Sequence, residues 1–181
     1  MDPSFHLPPE KQKDRYLQHE NTLENTAYVE MFEKFIASGV ESFVPPGGKI
    51  LDFGCGPDPV LAELLGRRGF DVDVVDLFFR PEGAFRKEKY NLITLTEVLE
   101  HLTDPLEVLK GLKDRLRPGG SIALMTQFHQ ENREKFSSWW YRRDSTHVSF
   151  YSLKTIRKLG EAVGMAVVFS DGVKIAVLKG I

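Results

Sequence analysis

The chain has 181 residues, a formal net charge of −2 and a pI near 6.2. That length fits one domain with a full core, and the charge argues against a dedicated nucleic-acid binder, which usually carries a net basic face. Its one cysteine, Cys55, suits a reducing cytosol, and the chain has no apolar run of roughly 18 residues and no charged-then-apolar leader. The reading is therefore a cytoplasmic protein without a membrane span.

Residues 1–20 begin with Pro3, Pro8, Pro9 and a mixed-charge run, and read as a poorly ordered segment ahead of one domain over 21–181. The apolar stripe of Tyr28, Met31, Phe32, Phe35 and Ile36 predicts a helix from about Thr22 to Ser38, stopped by Gly39. After a Pro45–Gly48 linker come a strand at Lys49–Phe53, a helix at about Pro59–Arg68 and a strand at Asp71–Asp76. A strand at Asn91–Thr96 and a helix at about Asp104–Leu116 follow, with Arg117–Gly120 as stop and turn. Ser121–Gln127 reads as a strand, 128–149 as a long insertion or lid, and Ser152–Val163 as a helix ended by Gly164. Such alternation implies a parallel sheet with helices on both faces, a Rossmann-like three-layer α/β sandwich. Met165–Phe169 and Val173–Leu178 flank Ser170-Asp171-Gly172, predicting a terminal antiparallel hairpin whose Asp-Gly residues both take positive φ.

The most informative stretch is Asp52-Phe53-Gly54-Cys55-Gly56-Pro57. A buried strand runs into a glycine turn and then a helix, where free N–H groups favour polar or anionic ligand groups. The dinucleotide fingerprint wants a small residue where this chain has Pro59, so nicotinamide fits poorly. Asp76, 20 residues past Gly56, is placed to accept hydrogen bonds from two ribose hydroxyls.

These residues resemble the class I S-adenosylmethionine-dependent methyltransferases, whose acid-x-Gly-x-Gly motif is matched by Asp52, Gly54 and Gly56 and whose ribose acid is matched by Asp76. The segment 90–102, Leu116–Gly120 and the terminal hairpin look like the same family, so the resemblance spans roughly residues 47–179. It implies S-adenosyl-L-methionine as cofactor, held by Asp52, Gly54, Cys55, Gly56, Asp76, Leu77, Phe78, Thr96 and Glu97. Two departures stand out. Asp58 replaces a frequent third glycine and reads as an N-cap before Pro59. Only Leu77–Lys89 joins the second strand to the next, so the sheet reads as truncated by loss of the third strand, and Phe78, Phe79 or Phe85 would sandwich the adenine or plug the open edge.

Glu97, Glu100 and His101 lie at i, i+3 and i+4 beyond a strand's carboxyl end, where open α/β sheets bind ligands. His101 is a candidate general base, with Glu97 and His147 as further catalytic candidates. Glu-x-x-Glu-His also resembles the metal-binding motif of small-RNA 2′-O-methyltransferases and a motif of ubiquinone-pathway O-methyltransferases. On that resemblance Glu97, Glu100, His101 and His147 form a divalent-metal set; without metal, Glu97 serves the cofactor and His101 the loop. Phe136, Trp139, Trp140 and Tyr141, beside Arg133, Lys135, Arg142 and Arg143, either stack on a planar anionic acceptor or roof the core while the arginines stay solvated. His6 and His129 read as surface residues, and Arg15–Asn21 as a segment folding over the cofactor by family resemblance.

The leading expectation is methyl transfer to an oxygen, or secondarily a nitrogen, of a small molecule by a monomer or homodimer. The competing expectations are a non-catalytic adaptor with a degenerate site and a metal-assisted RNA 2′-O-methyltransferase.

Overall fold

The computed structural model describes residues 6–18, 21–81 and 88–181. Among them, six strands form one sheet: β1 (Lys49–Phe53), β2 (Asp71–Val75), β3 (Tyr90–Thr96), β4 (Leu116–Met125), β5 (Met165–Ser170) and β6 (Ile175–Gly180). Their order is β2-β1-β3-β4-β6-β5. The first four are parallel to one another, while β6 runs antiparallel to both β4 and β5. β2 is thus an edge, as the short connection to β3 implies.

Alternation along the strands builds two cores, because successive side chains point to opposite faces. Ile50, Leu92, Ala123 and Met125 face α2 (Thr26–Gly39) and α3 (Val60–Arg67), meeting Phe35, Ile36, Leu61 and Leu65. Leu51, Ile93, Ile122 and Leu124 face α4 (Pro105–Lys113) and α6 (Leu153–Ala162), meeting Leu109, Leu112, Ile156 and Leu159. Two apolar layers around a shared sheet make the three-layer sandwich.

Several boundaries differ from the sequence reading for local reasons. Residues 9–16 of the segment read as a poorly ordered start form a helix, here α1 (Pro9–Tyr16). α2 begins at Thr26 rather than near Thr22 because the Asn25 side chain accepts the Tyr28 N–H and sets the start there. Asp58 does not cap α3; Pro59 itself occupies the cap position with no side-chain hydrogen bond. Arg117–Gly120 does not end before the strand but lies inside β4, as an irregularity where pairing jumps from Tyr90↔Leu116 to Leu92↔Ser121. In the hairpin turn only Gly172 has positive φ; Asp171 Oδ1 instead accepts the N–H groups of Val173, Lys174 and Ile175, each at 2.8 Å.

The insertion carries α5 (Arg133–Ser138) and a 3-10 turn at Trp140–Arg143. It is stitched back onto the sheet's end where Val148 and Ser149 donate to the Glu100 carbonyl, at 2.9 and 3.1 Å. Among the described residues no helix is long and apolar enough to cross a membrane.

Candidate active site

A cleft of about 680 Å³ opens along the carboxyl ends of β1, β2 and β3. Asp52, Gly54, Cys55, Gly56, Asp76, Leu77, Phe78, Thr96, Glu97, His101 and His147 all line it, so every residue expected at the cofactor or catalytic site faces one space. Leu77 is 70% exposed and offers the cleft only an edge.

The glycine loop is organised by β2. Gly54 and Cys55 donate their N–H groups to the Val75 carbonyl at 2.8 and 3.3 Å, and Gly56 donates to Asp76 Oδ2 at 3.0 Å. These three N–H groups are thus used within the protein, while Cys55 Sγ donates to the Gly56 carbonyl at 3.4 Å and Arg80 to the Pro57 carbonyl at 3.3 Å. Gly54 is required twice over: its φ is +80°, and a Cβ there would run into Val98 Cγ2. Burial pushes the Cys55 thiol up to about 12, so it is a neutral lining group rather than a nucleophile.

Asp76 also accepts the Phe78 and Phe79 N–H groups on Oδ1, at 2.8 and 3.1 Å, and its backbone pairs both ways with Arg80. This tight turn presents Phe78 and Phe79 to the cleft; Phe85 lies outside the described residues. From the other side Tyr16 of α1 stacks toward Phe78 at 5.6 Å and His101 at 5.3 Å. Arg15 anchors α1 to the insertion through Asp144 at 3.3 Å. Of the segment expected to fold over the cofactor, Tyr16 and Asn21 line the cleft, while residues 19 and 20 lie outside the described residues.

Asp52 is buried beneath the loop, and Thr94 Oγ1 donates to its Oδ1 at 2.9 Å. Burial raises its carboxyl to about 7; the Thr94 hydrogen bond opposes this and the Asp76 charge adds to it. Asp144 goes the other way. Burial alone would raise it, but Thr146 donates through both hydroxyl and backbone, and His147 and Arg15 lie near, bringing it to about 2.

At the end of β3, Glu97 takes φ 52°, the one positive-φ non-glycine among the described residues. Its N–H donates to the Met125 carbonyl at 2.8 Å, and the 3-10 turn Leu99–His101 follows. Tyr141 from the insertion places its hydroxyl between the two acids, 3.0 Å from Glu97 Oε2 and in contact with Glu100 Oε1. Glu97 Oε1 and Glu100 Oε2 have no hydrogen-bond partner among the described residues. Burial raises Glu97, against the Tyr141 hydrogen bond, and raises Glu100 well above the carboxylate range, with the Glu97 charge adding.

A model of the family described as "Methyltransferase domain" matches residues 28–169. The chain belongs to the methyltransferase-domain family. The ubiquinone biosynthesis O-methyltransferase of Aeromonas salmonicida (strain A449) is 27% identical over 165 residues, covering 74% of this chain and 69% of that protein. The enzyme of the same name from Acinetobacter baylyi is 29% identical over 105 residues, 44% of each chain. The match thus spans about two thirds of the first of these proteins and less than half of the second. Among solved structures, CalO1, a methyltransferase of calicheamicin biosynthesis in its SAH-bound form, superposes with a TM-score of 0.63 at 17% identity, over 87% of this chain and 56% of that one. A chain of the complex between the Haloferax volcanii Trm112 methyltransferase activator and a methyltransferase gives 0.64 at 12% identity, over 93% and 96%. At such identities these likenesses show the fold alone, and the fold agrees with the truncated Rossmann-like expectation.

Within this methyltransferase domain the structure sorts the metal candidates. Glu100, His101 and His147 each bring a ligand atom to within 4.8 Å of the others, whereas Glu97 stands outside that group. His101 Nδ1 meets the Thr146 carbonyl at 3.1 Å, and His147 Nδ1 meets the Tyr141 carbonyl at 2.8 Å, fixing both rings. Two oriented imidazoles and a carboxylate oxygen without a partner are a donor set that fits a divalent ion of the zinc type.

The aromatic and arginine residues of the insertion divide. Trp139 packs against Phe136, Tyr141 and Phe150, so it roofs the insertion's own core; Trp140 lines the cleft. Arg142 donates to the Phe136 and Ser137 carbonyls and stacks over Phe136, and Arg133, Lys135, Arg142 and Arg143 do not line the cleft. Two histidines read as surface residues have partners or places after all: His6 lines the cleft, and His129 packs on Phe136 and Trp139. Tyr141 is the residue sequence reasoning undervalued. Its link to Glu97 crosses 44 residues, and no local spacing signals it.

Proposed function

We propose that the chain is an S-adenosyl-L-methionine-dependent methyltransferase acting on an oxygen of a small aromatic molecule. One observation carries this reading: a single cleft holds the glycine loop and Asp76 at one part and Glu97, His101 and His147 at another, between apolar walls that include Tyr28, Met31 and Trp140.

The cofactor supplies an electrophilic methyl group on a sulfonium. Asp52 and the loop carbonyls suit its ammonium end. Asp76 retains lone-pair capacity for the ribose hydroxyls beside the three N–H groups it already accepts. Phe78, Phe79 and Tyr16 suit the adenine. An in-line displacement needs the acceptor oxygen aligned behind the methyl group and relieved of its proton. His101, at the cleft wall with Nδ1 held by Thr146, takes that proton at its other ring nitrogen.

A second reading rests on the Glu100–His101–His147 cluster. These three would hold a divalent ion, which would lower the pKa of an acceptor hydroxyl.

The test is calorimetry with S-adenosylhomocysteine, followed by methyl-transfer assays on phenolic and amine acceptors with and without added zinc. Binding with hydroxyl methylation is the expected result. Binding without turnover of any acceptor under either condition favours the non-catalytic adaptor. Activity abolished by chelation and restored by zinc selects the metal-assisted form.

A further inference from the structure

Carboxylates outnumber basic groups in the cleft lining, where His6, His101 and His147 are the basic side chains among the described residues. Asp52, Asp76, Glu97, Asp104, Glu107 and Asp144 line it, and among the described residues no lysine or arginine does. Lys174 lies near enough to lower the Glu97 carboxyl, and three further cations around the cleft are engaged with protein groups. Arg15 pairs with Asp144, Arg80 donates to the Pro57 carbonyl at 3.3 Å, and Lys13 lies over the Phe79 ring at 5.5 Å. The insertion's arginines, the obvious grip for an anion, are bonded into their own segment.

From this we infer that the methyl acceptor is an aromatic alcohol bearing no anionic group, neutral or cationic, and that the cleft rejects carboxylated and phosphorylated acceptors. The inference rests on the methyltransferase reading of the same cleft and adds the acceptor's charge class to it. An anion taken into this space loses its hydration and meets carboxylates in place of counter-ions, so both desolvation and Coulomb repulsion oppose it. Burial relieves part of the repulsion by raising Asp52 and Glu97, and Arg15 answers Asp144, but Asp76, Asp104 and Glu107 stand without a described counter-ion in the lining. A divalent ion on Glu100, His101 and His147 would offset two of these charges and leave the lining net acidic. The same field suits a sulfonium cofactor, whose positive charge is lost on transfer. The walls supply the aromatic preference: Tyr28, Met31, Phe32, Leu102, Val108 and Trp140 offer flat or apolar surface.

The test uses three matched catechols: 4-methylcatechol, dopamine and 3,4-dihydroxybenzoate. Binding of S-adenosylhomocysteine is measured first, and its failure sinks the cofactor reading itself. Each catechol is then titrated into the protein saturated with S-adenosylhomocysteine, and zinc is included if the chelation assay has shown a need for it. Binding of the neutral and cationic probes at least about tenfold tighter than the carboxylate is expected, the scale at which unfavourable charge contacts discriminate partners. Equal or tighter binding of the carboxylate, or binding of none of the three, overturns the inference while the cofactor result stands. Glu107→Lys gives an independent arm, since Glu107 is exposed in the first turn of α4 and its N–H, not its side chain, engages the Asp104 cap. That substitution narrows the gap between 4-methylcatechol and 3,4-dihydroxybenzoate several-fold; an unchanged ratio overturns the inference.

Discussion

Asp76 Oδ2 accepts the Gly56 N–H at 3.0 Å, so the acid at the end of β2 holds the tip of the glycine loop 20 residues before it. One carboxylate therefore shapes the loop and faces the cleft. Asp76→Asn keeps an oxygen for Gly56 but halves the acceptor capacity and removes the charge. S-adenosylhomocysteine affinity falls by tens-fold or more in Asp76→Asn and further in Asp76→Ala, since a hydrogen bond to a charged group contributes about 1.5–3 kcal/mol. Calorimetry reads both variants, and an affinity unchanged in Asp76→Ala contradicts the ribose role.

Asp52 sets a pH dependence. Its folded-state pKa, about 7, lies above the ordinary 3.8. The folded protein therefore binds a proton that the unfolded chain releases, and the associated stability is full below the ordinary value and lost as pH rises through about 7. Thermal melts of the unliganded protein decline across this window, and Asp52→Asn flattens the decline. Binding of S-adenosylmethionine, whose ammonium suits the ionised carboxylate, strengthens across the same window in the native protein and not in Asp52→Asn.

Gly54→Ala combines a backbone penalty with a collision. The left-handed conformation costs a residue with a Cβ roughly 1–2 kcal/mol, and the new methyl meets Val98. The single variant melts lower and binds cofactor poorly. Adding Val98→Ala removes the collision but not the strain, so recovery is partial; full recovery would show that φ at Gly54 is not constrained.

Tyr141→Phe deletes the hydroxyl that reaches Glu97 and Glu100 and leaves their buried oxygens short of a donor. A loss of about 1–3 kcal/mol in unfolding free energy is expected, the scale for a buried acceptor left unsatisfied. Chemical denaturation measures it. A variant as stable as the native protein would mean that water replaces the hydroxyl.

Neutralising Arg142 and Arg143 together lowers stability by about 0.5–1 kcal/mol, through loss of the stacking of Arg142 on Phe136. It leaves the KM of the acceptor unchanged, because neither guanidinium lines the cleft. A raised KM would restore the anionic-grip expectation.

The sequence by itself determined the parts that depend on local pattern. Lys49–Phe53 is a strand with the bounds its apolar run predicts, because Ile50 and Leu51 need opposite cores and the glycine turn ends the pairing. Asp76 faces the cleft at the predicted distance from Gly56, because two adjacent parallel strands bring their carboxyl ends together. That no further strand stands between β2 and β3 among the described residues was legible as too few residues joining them.

Turn chemistry was less legible. Asp171 takes three N–H groups on its side chain instead of adopting positive φ, and Pro59 displaces Asp58 from the cap, each a competition between side-chain and backbone geometry that spacing does not encode.

Only the tertiary structure decided which residues of the insertion reach the site. Arg142 and Tyr141 are neighbours in sequence, yet one turns back to α5 while the other enters the space between Glu97 and Glu100. Their directions follow from how Val148 and Ser149 are pinned to the Glu100 carbonyl and Asp144 to Arg15. Those contacts cross more than 40 residues, and a long-range hydrogen bond leaves no periodicity for the sequence to show.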